Sequence, residues 1–86
     1  MTTPSGRSDD VSVIAGKLGR VQRRAIAKLT EEWGPSGEHE ACKRLWFRTD
    51  IPLLLDHKHM TDDCWKLRPI GVAVRAEIVR LKEQAA

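Results

Sequence analysis

Residues 64–75 read Cys64-Trp65-Lys66-Leu67-Arg68-Pro69-Ile70-Gly71-Val72-Ala73-Val74-Arg75, and their period changes in the middle. Trp65 and Leu67 alternate with Lys66 and Arg68, the two-residue period of a half-buried strand. Pro69 fixes φ and lacks an N–H donor, which suits the first turn of a helix. Beyond it Ile70, Ala73, Val74, Ile78 and Leu81 recur at helical spacing. A strand therefore runs through a tight corner into a helix over 69–83.

The strand needs a partner. Residues 53–55, three leucines, begin one, with Asp56 and Lys58 on one face and His57 and His59 on the other. Residues 60–63 read as the turn and 64–68 return antiparallel. Two strands alone are marginal, so the hairpin must pack on helices through its leucines and Trp65.

Three helices are predicted upstream. The first covers 11–18, with Asp9 or Asp10 as N-cap; Gly16 weakens it and Gly19 breaks or kinks it. The second covers 20–33. Its wheel places Leu18, Val21, Ala25, Ile26, Leu29 and Trp33 within an arc of roughly 140°, opposite Arg20, Arg23, Arg24 and Lys28. That basic face is either simply solvated or contacts phosphate. Glu31 and Glu32 would then sit at the helix C-terminus, where the macrodipole disfavours them. Gly34-Pro35 ends this helix, and Ser36 is placed to cap a third over 37–48 with Glu38 and Glu40 in its first turn. Ala41, Leu45 and Cys42 form its inner face; Lys43, Arg44, Phe47 and Arg48 lie off it. Trp46 and Phe47 either flank the core under the hairpin or join a binding surface. One face from each element points inward, predicting a core of Leu29, Leu45, Trp65, Leu67, Val74 and Ile78.

The chain has 86 residues, enough for one small domain over 11–86 after a polar, disordered tail at 1–10. A domain this size buries about 60–65% of its unfolded surface, leaving little room for both a core and a deep cleft. No apolar run approaches the ~18 residues of a membrane helix, and the tail has no signal-like segment. The expectation is a cytoplasmic protein with no membrane partner. Cys42 and Cys64, far apart, form no disulfide framework. Net charge is +3, distributed in blocks. Residues 17–30 hold Lys17, Arg20, Arg23, Arg24 and Lys28 without an acid, and 31–40 hold four glutamates without Lys or Arg. Such blocks put sign asymmetry on faces.

Neither metal binding nor catalysis has a matching motif in the sequence. His39 and Cys42 share a helical face, and His57, His59 and Cys64 gather on the hairpin, but the spacing fits no zinc-finger pattern. No Gly-rich phosphate loop, nucleophile elbow or His-Glu-x-x-His occurs in the sequence. Asp62-Asp63 reads as a turn, and Cys42 beside His39 reads as a structural thiol. The expectation is a non-enzyme without catalytic residues, metal or cofactor.

The motif Trp65-x-Leu67-Arg68-Pro69-Ile70-Gly71 resembles the end of a winged-helix domain, where the last wing strand reads aromatic-x-Leu-Thr-Pro-x-Gly and opens the final helix. It departs at Arg68, which cannot accept a capping hydrogen bond as Thr would. With Val21-Gln22-Arg23-Arg24-Ala25-Ile26 upstream, the chain is similar to short winged-helix proteins of phage or prophage-like elements. The resemblance implies an α+β, winged-helix-like domain: helices, a two-stranded β-hairpin wing and a C-terminal helix. It implies a transcriptional regulator binding double-stranded DNA. Basic side chains on a helix and an adjacent hairpin serve phosphates, which nominates Lys43, Arg44 and Arg48 with Lys58, Lys66 and Arg68. Arg20, Arg23 and Arg24 would face away. The C-terminal helix or the 11–18 segment offers a homodimer seam. The alternative is a phage-encoded factor that docks on a host protein complex and inhibits a defence system, CRISPR or nuclease, through Trp46, Phe47 and an acidic patch of Asp56, Asp62 and Asp63.

Overall fold

The computed structural model describes residues 10–58 and 62–85. Residues 1–9 of the expected tail over 1–10, the turn residues Met60 and Thr61, and His59 lie outside the described residues. The element order is α1 (Val11–Lys17), α2 (Arg20–Lys28), α3 (His39–Phe47), β1 (Leu55–His57), β2 (Trp65–Leu67) and α4 (Pro69–Ala85). This is a small α+β arrangement of four helices and one antiparallel hairpin. No helix of the described residues is long and apolar enough to cross a membrane.

Asp10 caps α1, its carboxylate accepting from the N–H groups of Ser12 (2.9 Å) and Val13 (3.4 Å). Leu18 and Gly19, both extended, separate α1 from α2. Helix α4 packs across α1 and α2, and α2 packs on α3.

Helix α2 stops at Lys28, five residues before the predicted end at Trp33. The cause is tertiary. The Leu67 N–H donates to the Thr30 carbonyl (2.7 Å), and Gly34 exchanges two backbone bonds with Trp65 (2.9 and 2.8 Å). The backbone that would continue the helix instead pairs with the open edge of β2, satisfying groups a two-stranded sheet leaves bare. Glu31 and Glu32 therefore lie beyond the helix, and their expected conflict with its dipole does not arise. Two residues assigned to the buried arc are outside it: Trp33 is 40% exposed and Val21 43%. Trp33 sits instead under Lys66, whose Nζ is 4.7 Å from the ring centroid.

Helix α3 starts at His39 rather than at 37. Gly37 takes a positive φ of 73°, in the left-handed region that glycine enters at least cost. Ser36 does not cap the helix directly. It is buried, donating from Oγ to Asp63 Oδ1 (2.7 Å) and accepting from the Glu38 N–H (2.9 Å).

In the hairpin, Leu55 faces Leu67, Asp56 faces Lys66 and His57 faces Trp65. The first strand begins at Leu55, not at 53, because the Leu54 carbonyl turns to accept from the Arg68 N–H (2.9 Å). The corner into α4 is close there. A Cβ on Gly71 would lie 2.1 Å from the Leu54 oxygen, so only glycine lets the first turn of α4 pass. Arg68, in the place of a capping Thr, reaches Asp56 at 3.1 Å.

All six residues of the predicted core are buried in one cluster, with Trp65 fully enclosed. The periodicity missed Ile51 and Leu54, which join it from the connection before β1.

Candidate nucleic-acid interface

The six cations nominated from the sequence divide into two groups. Arg44 and Arg48 meet in a groove of about 490 Å³ between the start of α2 and α3, together with Lys17, Arg20 and Glu40. Lys58, Lys66 and Arg68 belong to the hairpin and line neither that groove nor the one described below. Lys43 is half-buried on α3.

Arg48 is committed to the fold. Its guanidinium bonds both Asp50 oxygens (2.9 and 2.6 Å), Gln22 Oε1 (3.0 Å) and the Lys17 carbonyl (3.1 Å). The bidentate bond from Arg48 pulls the Asp50 carboxyl down to about 2, and the same bond raises the Arg48 pKa further. On the hairpin, Asp56 pairs with Arg68 and lies across the ladder from Lys66, which is itself stacked on Trp33. Among the described residues Lys43, Arg44 and Lys58 form no ion pair.

A second groove, of about 630 Å³, runs between α2 and α4. Arg20, Arg23, Arg24, Lys28 and Lys82 line it, over a floor of Leu18, Ala27, Ile78 and Leu81. Arg20 lines both grooves, so the cations of α2 and Arg44 of α3 form one continuous surface. Helix α2 carries no acid. Glu38 fixes part of the row from below, bonding Arg24 at 2.6 Å with Lys28 at 3.9 Å. The Arg24 hydrogen bond holds the Glu38 carboxyl below its usual value. Arg23 is set by a hydrogen bond from Nε to the Ala15 carbonyl (3.2 Å). The junction of the α2 cations with Arg44 was not foreseen. Its only sequence signal was the acid-free run from 17 to 30.

The histidines form an aromatic cluster. His57 stacks on Trp65 (3.8 Å between centroids, 7° between planes), and His39 lies 5.7 Å from His57. Trp65 Nε1 donates to His39 Nδ1 (3.3 Å), and His57 Nε2 is 2.6 Å from the Asp62 carbonyl. One nitrogen of each ring, His39 Nδ1 and His57 Nε2, thus has a partner within the fold. Among the described residues no three His, Cys, Asp or Glu side chains are placed to hold a metal ion. His59, considered with them from the sequence, is outside those residues. Cys42 is buried, and burial pushes its thiol up to about 11, which keeps it protonated.

Compared with models of protein families, with curated proteins and with solved structures, the chain matches none.

Proposed function

We propose that the chain is a small DNA-binding protein, a transcriptional regulator that holds duplex DNA by its phosphates along α2 and Arg44. The observation that carries this is Arg20 lining both grooves, whose walls hold eight cations; Arg48 is paired with Asp50, and Arg24 and Lys28 share Glu38, which leaves Lys17, Arg20, Arg23, Arg44 and Lys82 without a carboxylate partner among the described residues. A positive surface of that kind supplies the sequence-independent part of DNA affinity. This places the contact on the α2 side, whereas the sequence placed it on α3 and the hairpin. Arg48 and Arg68 each have a carboxylate partner and Lys66 a ring, so three of the nominated six are less available. The winged-helix identity rests on the resemblance of the strand–proline–helix ending, and a phage or mobile-element origin on that ending together with Val21-Gln22-Arg23-Arg24-Ala25-Ile26.

The test is binding to random-sequence duplex across a salt series. Four phosphate contacts, by Arg20 and Arg44 and, with phosphate displacing Glu38, by Arg24 and Lys28, give a log–log slope of about −3 to −4. Arg20→Ala and Arg44→Ala each flatten it by about one unit, and Lys58→Ala leaves it unchanged. A slope lost with Lys58→Ala and kept with Arg20→Ala returns the contact to the hairpin. No binding at low salt removes the DNA reading.

A second reading, docking on a host protein complex, draws on Phe47, which is 67% exposed at the end of α3. Exposed aromatics are enriched at protein interfaces. Retention of a host partner that Phe47→Ala abolishes, with no DNA binding, would favour it.

A further inference from the structure

The groove between α2 and α4 has a feature that DNA contact leaves unexplained. Phosphates need exposed cations, not an aliphatic floor. Here Leu18 and Ile78, both buried, and the half-buried Ala27 and Leu81 form an apolar base from α2, α4 and the α1–α2 connection. Ala27 and Leu81 stay partly open to water above the buried Leu18 and Ile78, and partly exposed apolar surface of this kind favours an apolar occupant.

The walls select its charge. Five cations line the groove; Glu38, outside its lining, engages Arg24 and Lys28, which leaves Arg20, Arg23 and Lys82 without a carboxylate partner among the described residues. Arg23 is the best prepared of them. It is half-buried, and its Nε donates to the Ala15 carbonyl, which fixes the guanidinium plane. Its two Nη groups have no partner among the described residues. A guanidinium held in this way presents a planar fork to a carboxylate or phosphate with little left to order. Lys82 of α4 lines the same groove and adds a second, exposed positive charge. The volume, about 630 Å³, lies within the roughly 300–1,000 Å³ typical of small-molecule sites. A partner helix would need apolar anchors along several turns, and the floor offers four residues.

We propose that this groove binds a small anionic amphiphile, its apolar body on Leu18, Ala27, Ile78 and Leu81 and its carboxylate or phosphate on Arg23 and Lys82. The assignment does not depend on the DNA reading: Arg20, Arg24 and Lys28 line this groove too, but the head group is placed on Arg23 and Lys82, which are not among the phosphate contacts proposed for DNA. Binding is non-covalent, and selection comes from an anionic head joined to an apolar tail.

The experiment titrates the full chain with decanoate and with decyl phosphate, below their micelle concentrations, followed by amide chemical shifts and calorimetry. Decyltrimethylammonium serves as the cationic counterpart. The expected result is saturable binding at one site, with shifts centred on Leu18, Ala27, Ile78 and Leu81. Preference for decanoate or for decyl phosphate identifies the head group. Arg23→Gln weakens binding about tenfold. Lys82→Gln, an exposed change that leaves the fold intact, weakens it several-fold. Equal affinity for the cationic amphiphile overturns the proposal, as do shifts centred elsewhere, unchanged affinity in both variants, or no saturation by either anion. Saturation by an acidic amphipathic peptide but by neither probe would place a partner protein there and also overturn it. A DNA salt series that shows no binding leaves all these outcomes as they stand.

Discussion

Asp63 holds Ser36, 27 residues away in the chain, by two hydrogen bonds to one oxygen: the Ser36 N–H at 3.1 Å and its Oγ–H at 2.7 Å. The other oxygen accepts from the Gly37 N–H at 2.9 Å. One carboxylate thus ties the end of the hairpin turn to the entry of α3. Partial burial would raise the Asp63 pKa, but these bonds outweigh it and hold the group below its usual value.

Asp63→Asn keeps the shape and replaces one acceptor with a donor. Whichever way the amide turns, an NH₂ group then faces an N–H or O–H. The expected loss is about 1–3 kcal/mol of unfolding free energy, read from urea melts. Asp62→Asn is the control. The bonds described for Asp62 use its backbone carbonyl, so its midpoint should stay within about 0.5 kcal/mol. Equal effects from the two changes would show that the Ser36 clasp does not matter.

Much of this clasp was visible in the sequence only as composition. Asp63 read as a turn residue and Ser36 as a helix cap, both sound local inferences. Their partnership depends on the hairpin folding back over the start of α3, which no local pattern encodes. The same limit explains α2. Residues 29–33 extend its helical period, but β2 needs backbone partners along its open edge, and tertiary pairing overrides propensity. Where burial alone decides, as for Leu29, Leu45, Val74 and Ile78, periodicity was sufficient. The joining of Arg20 to Arg44 depends on how α2 and α3 cross, and spacing along one helix carries no record of that angle.

Gly71 and Gly16 should respond oppositely to alanine. Both are helical, and alanine ordinarily favours a helix by about 1 kcal/mol over glycine. Around Gly16 a Cβ meets nothing within 4 Å, so Gly16→Ala should raise the melting temperature. At Gly71 the same atom would lie 2.1 Å from the Leu54 carbonyl, which also accepts from the Arg68 N–H. The corner must open, and Gly71→Ala should cost at least about 1–3 kcal/mol. A melting temperature raised by both changes would mean that the corner is looser than described.

Leu67 is buried between its strand partner Leu55 and the first turn of α4. Leu67→Ala should cost about 2–4 kcal/mol, the lost transfer energy plus the cavity. Lys66→Ala, one residue earlier, removes only a surface cation–π contact worth about 0.5–1 kcal/mol. The ratio of these losses, measured by denaturant midpoints at constant slope, tests the alternation of the strand. Similar losses would place both side chains on the same kind of surface.

Acid should weaken the fold through depressed carboxylates. The Arg48 hydrogen bonds bring Asp50 from its ordinary 3.8 to about 2, and Glu38, Asp63 and Glu77 are also lowered. A carboxyl whose folded pKa lies below its unfolded pKa binds protons more readily when unfolded. Its contribution is therefore complete above the unfolded value and is lost as pH falls through the folded one. For Asp50 the window runs from about 4 down to about 2. Arg48 stays charged throughout, so the titration belongs to the carboxylate. Melting temperature should be flat from pH 7 to 5 with respect to Asp50, then fall between pH 4 and 2. Asp50→Asn should lower it at pH 7, because Arg48 loses its bidentate partner while Gln22 and the Lys17 carbonyl still hold it. The variant and the parent should converge towards pH 2, where the native carboxylate is itself being protonated. A constant gap between them across this range would show that the Arg48–Asp50 pair contributes by shape and not by charge.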